Sequence, residues 1–100
     1  MKLGVLVNNV RHRDHLLGLV RAAVSRGHEV LVFAMDTGTQ LIRDSAVLDL
    51  CRLPGVTLSL CAHSASTNGV DVSALGKDVC VGSQMQNALM HHHADRVVVL

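Results

Sequence analysis

Tryptophan and tyrosine are missing from this chain, and Phe33 is its only aromatic residue. Without aromatic faces there is neither a base-stacking platform nor an aromatic ligand cage. Charge is also scarce. Charged residues make up 17% of the chain and the formal net charge is +1 with neutral histidines, so the basic footprint of a nucleic-acid binder is absent. No apolar run approaches the roughly 20 residues of a membrane span. The opening MKLGVLV lacks a secretory apolar region and cleavage site. The residues after the first apolar run, Asn8-Asn9-Val10-Arg11-His12, contain no glycine, so a phosphate-cradling nucleotide loop is not expected there. The three cysteines, at 51, 61 and 80, are odd in number and form no CxxC pair. Together with the missing export signal, they lead to the expectation of free thiols in a reducing cytoplasm.

Apolar residues are plentiful, at 49% of 100 residues, enough for one core and one domain spanning residues 1–100. Lys2–Val7, Val30–Met35, Val56–Leu60, Val79–Val81 and Val97–Leu100 are short and apolar throughout, the pattern of strands buried on both faces. Between them lie helical patterns. One runs from about Asp14 to Val24 and ends at Ser25-Arg26-Gly27; a helical turn is placed at Gln40–Arg43. Another helix runs from Ala46 to Leu53 with Ser45 as N-cap, halted by Pro54-Gly55, and the last runs from Gln84 to His92 after Gly82-Ser83. This alternation predicts an α/β domain: a three-layer, five-stranded parallel sheet with helices on both faces, in the flavodoxin-like order 2-1-3-4-5. So apolar a surface on so small a chain also suggests cover by other subunits.

Cys61 stands where the third strand stops and the small polar segment Ala62–Asn68 begins, closed by Gly69 as a C-cap. Free N–H groups and the positive end of a helix dipole favour a thiolate at such a junction. In the order 2-1-3-4-5, Cys61 would adjoin Asn8, Asn9, Arg11 and His12 at the sheet's switch point. Position alone leaves it open between a reactive thiolate and a small buried hydrophobe. Cys51, among Val47, Leu48 and Leu50, and Cys80, between Val79 and Val81, read as core. His91-His92-His93 reads as a solvated helix end, because consecutive helical residues point about 100° apart and cannot converge on a metal. A Cys61/His63/His12 metal or redox set is a further alternative without recognisable zinc spacing.

Several pieces together resemble the DsrE/TusD family of small sulfur-relay proteins, nearly end to end. They are the apolar first strand and its helix, Arg26-Gly27-His28-Glu29-Val30 leading into Val32-Phe33, and Leu58-Ser59-Leu60-Cys61 followed by Gly69-Val70. Gly82-Ser83 with its helix and Ala94-Asp95-Arg96-Val97-Val98 complete the set. The resemblance implies a cytoplasmic subunit without organic cofactor or metal. It would assemble as a dimer, trimer or hexamer, or with homologous subunits, and would bind neither nucleic acid nor membrane. It further implies that Cys61 takes sulfane sulfur as a persulfide from a donor protein and passes it to an acceptor protein thiol. The 62–68 N–H groups, with Arg11 or His12, would stabilise the thiolate, and His63, Ser64, Asn8 and Asn9 are further stabilising or docking candidates. Some members of the family carry no known reaction, so a non-catalytic assembly or regulatory subunit is the alternative. His63-Ser64 stands where the relay members have more apolar residues, and Asp36–Ser45 is shorter than theirs.

Overall fold

A computed structural model describes residues 1–100. Five parallel strands, β1 (Lys2–Val7), β2 (Glu29–Ala34), β3 (Val56–Cys61), β4 (Val79–Gly82) and β5 (Arg96–Val99), form one sheet. The helices are α1 (Arg13–Ser25), α2 (Ser45–Asp49), α3 (Ala62–Thr67) and α4 (Gln84–His93), and a 3-10 helix covers Asp36–Arg43. The α/β class, the strand count, the parallel sense and the helices on both faces are those expected. None of the helices is long and apolar enough to cross a membrane.

The strand order is 4-3-2-1-5, not the expected 2-1-3-4-5. β1 lies between β2 and β5, while β3 lies between β2 and β4. Both orders satisfy right-handed crossovers, and strands that are apolar on both faces carry no mark of which edge they pair with. The chain therefore steps one way from β1 to β4 and then returns across the sheet to β5. Handedness puts the forward helices on one face and only α4 on the other.

Strand alternation explains the two cores. Val5, Val7, Val30, Val32, Leu58, Leu60 and Val79 point to the face of α1, α2 and α3, within a cluster of 19 buried residues. Phe33, Cys61 and Met90 form a cluster of only three on the α4 face, so most of the apolar burial sits on the first face. On the second face α4 lies over β1 at Gly4, where an added Cβ would come within 3.1 Å of Ala94 and 3.2 Å of Met90.

Local chemistry sets the element ends. Asp44, not Ser45, caps α2, its carboxylate accepting from the Ala46 N–H at 2.9 Å. The Arg13 guanidinium donates to the same carboxylate and holds it below the usual carboxylate range, tying the start of α1 to the start of α2. Ser83 and Gln86 form a reciprocal capping box at the start of α4. Gly69 ends the turn after α3 with φ +72°, a conformation that favours glycine.

Gly38 is buried where the 3-10 helix meets the end of β1, and a Cβ there would run into the Val7 carbonyl. Because that obstacle is backbone, Gly38→Ala is expected to cost roughly 1–3 kcal/mol. A fall in the thermal midpoint of about 4–8 °C for each kcal/mol would register it; an unchanged melting curve would refute the packing assigned to this turn.

Candidate functional site

β3 ends at Cys61, which is also the N-cap of α3, with φ −82° and ψ 117°. Its register partner on β4 is Gly82, and on the other side Leu60 pairs with Ala34 of β2. Cys61 is thus flanked by two strand ends, Met35-Asp36 after β2 and Gly82-Ser83-Gln84 leading into α4. These segments, with Ala62, His63, Ser64, Met85 and Ala88, line an open cleft of about 930 Å³ in whose wall Cys61 sits. The cysteine is only 5% exposed, so the cleft is its approach to solvent.

The thiol is held against opposing influences. Burial pushes its pKa up, but the Ser64 N–H and hydroxyl, the Gln84 side chain and the His63 N–H favour the charged sulfur, and the net result lies below the ordinary thiol range. The thiol makes no side-chain capping hydrogen bond. Gln84 is itself oriented: Asn87 Nδ2 donates to Gln84 Oε1 at 3.1 Å, and Gln84 Nε2 approaches Met35 Sδ at 3.9 Å. With its oxygen engaged by Asn87, the amide presents its donor end towards the sulfur side of the cleft. The arrangement can generate a nucleophilic thiolate in a recess lined by both apolar and polar residues.

His63 and Ser64 lie at the site as expected, His63 exposed and Ser64 buried. Asn8, Asn9, Arg11 and His12 do not line the cleft. They follow β1, and β2 stands between β1 and β3. Asn8 donates its N–H to Leu100 O at 2.9 Å, Asn9 accepts from the Arg11 N–H, and the Val10 N–H donates to Thr37 Oγ1. They occupy the switch point between β1 and β5, away from the cysteine. No three His, Cys, Asp or Glu side chains converge as metal ligands, so Cys61, His63 and His12 do not form the set considered above.

The other two thiols differ. Cys51 is half-buried and donates to Leu48 O at 2.8 Å, and burial and the Asp78 charge push its pKa up. Cys80, expected in the core, is exposed. β4 is an edge strand, and Cys80 points to the sparsely covered α4 face, into a shallow groove with Ser59, Leu89 and His93. Sequence reasoning missed Met35, Asp36 and Gln84 as neighbours of Cys61. The observed order puts the end of β2, rather than that of β1, beside the end of β3, whereas β4 adjoins β3 in the expected order as well.

No protein-family model matches the sequence, and no curated protein matches it. Among solved structures, the chain is similar to the ychN protein from E. coli, with a TM-score of 0.70, 18% sequence identity and coverage of 100% of each chain. At that identity the likeness establishes the fold.

A lowered thiol pKa is directly measurable. With Cys51→Ser and Cys80→Ser in place, the iodoacetamide rate at Cys61 should rise with pH around a midpoint below that of an ordinary cysteine. Ser64→Ala should move the midpoint upward. By linkage, the depressed value stabilises the fold above the unfolded thiol's pKa, a contribution lost as pH falls through the folded value. A midpoint at or above the ordinary thiol value would overturn the assignment.

Proposed function

We propose that this protein is a sulfur carrier that holds sulfane sulfur as a persulfide on Cys61 and passes it to a partner protein thiol. The observation that carries the reading is the placement of Cys61 in the wall of an open cleft, with N–H, hydroxyl and amide groups favouring its thiolate. The resemblance of Leu58–Cys61 and Gly69-Val70 to the DsrE/TusD pattern points the same way. In the loading step the Cys61 thiolate attacks the outer sulfur of a donor persulfide. A new S–S bond forms, the donor S–S bond breaks, and its electron pair leaves on the donor thiolate. In the unloading step the acceptor thiolate attacks the outer sulfur and Cys61 leaves as the thiolate. The step exchanges one S–S bond for another and requires no external oxidant or reductant.

Such chemistry needs an approach and a docking surface more than an enclosed pocket. The donor and acceptor would be proteins, working in the cytoplasm. An assembly role is favoured by a separate observation: Met85 at 62%, Leu89 at 45% and Val99 at 58% exposure leave apolar area uncovered. In that reading the chain packs with copies of itself or with homologous subunits.

Incubation with a persulfide donor followed by mass spectrometry tests the carrier reading. Added sulfur should appear on Cys61, be released by a thiol reductant and vanish in Cys61→Ser. No added sulfur, or equal labelling of the variant, would leave the assembly role alone standing.

A further inference from the structure

Asp36 is the one non-glycine residue with a left-handed backbone, at φ 49°, and it stands at the edge of the Cys61 cleft. β2 pairs Ala34 with Leu60, so Met35 is level with Cys61 and Asp36 lies one position beyond, at the mouth. Its backbone is pinned: the Thr39 hydroxyl donates to Asp36 O at 2.8 Å, and the Gly38 N–H donates to Met35 O at 3.0 Å. Asp36 is exposed and takes part in none of the four salt bridges of the fold. No lysine or arginine lines the cleft, and His63 is the only side chain there able to become positive. The rest of the wall, including Met35, Met85 and Ala88, is mostly uncharged.

The geometry points to Asp36 as a specificity-determining residue that disfavours small anionic reactants at Cys61 and leaves uncharged, apolar-flanked ones unhindered. The part concerning sulfur donors rests on the carrier reading; the electrostatic part does not. A small anion such as thiosulfate could deliver sulfur to the thiolate by an analogous displacement, its S–S bond breaking and sulfite leaving with the electron pair. It must bring two negative charges past a carboxylate to a sulfur that is itself negative, with no fixed cation to compensate. A persulfide carried on an apolar segment brings at most one charge, and Met35 and Met85 offer it adaptable contact area. A unit charge a few ångströms from the line of approach, in water, is worth about threefold in rate for a singly charged reactant and on the order of tenfold for a doubly charged one.

The test begins with alkylation, which needs no sulfur chemistry. In the Cys51→Ser, Cys80→Ser protein at low salt and mildly alkaline pH, Asp36→Asn should raise the iodoacetate rate about threefold and leave the iodoacetamide rate unchanged, the gain shrinking as salt rises. Asn tolerates the left-handed backbone, so this variant retains the turn. Asp36→Gly, which relaxes the backbone as well, should give the same ratio. Equal effects on both reagents, no effect, or a gain seen only with Gly would overturn the inference. With donors, Asp36→Asn should speed loading from thiosulfate on the order of tenfold and loading from an apolar peptide persulfide, which carries at most one charge, by no more than about threefold. If the alkylation ratio moves and neither donor loads Cys61, the electrostatic role stands and the sulfur-carrier reading falls.

Discussion

Only one helix crosses the second face of the sheet, and the rest of the structure follows from that. Four strands laid down in one direction, each joined to the next by a right-handed crossover, put α1, α2 and α3 on one side. The return from β4 to β5 leaves α4 to cover the other side alone. It does so by close approach: Gly4 removes a side chain under Met90 and Ala94, and Phe33 fills the space beside Met90 with no exposure of its own. The main cluster carries most of the fold's hydrophobic stabilisation, and the thinly covered face is open along α4 beside β3 and β4 and at the start of α4.

The candidate site is one of those openings. Cys61 sits on the α4 face at the end of β3, where α3 begins and where α4 begins beside it. Two helix starts bring the His63 and Ser64 N–H groups, the Ser64 hydroxyl and an oriented glutamine to one sulfur. Desolvation opposes ionisation there, and hydrogen-bond donors outweigh it. The same face explains Cys80: on an edge strand α4 does not cover, a cysteine flanked by valines is left in the open. Flanking valines alone therefore do not bury a cysteine on an edge strand.

The charge at the mouth comes from a third segment. The turn after β2 is tightened by Gly38 against the Val7 carbonyl and by the Thr39 hydroxyl, and it holds Asp36 left-handed beside the cleft. Aspartate occupies such a conformation more readily than a bulky or β-branched residue does. The turn therefore places Asp36 in the lining of the cleft that Cys61 also lines, although the two are far apart in sequence.

What the sequence determined alone is local. Uninterrupted apolar runs specified parallel strands, though β4 and β5 are largely exposed; Gly27 and Gly69 marked helix ends, Ser83 opened α4, and Cys61 was legible as the residue at a strand-to-helix junction. Each depends on side chains within a few positions of one another. The tertiary structure decided which strands are neighbours, and with that which strand end stands beside the cysteine opposite β4. Asn8 to His12 went to the β1–β5 end, while Met35 and Asp36 came to Cys61 in their place. The physical reason is that strands rich in valine and leucine offer nearly equivalent edges, so pairing is settled by the joint packing of the whole sheet and its helices rather than by any signal within a strand.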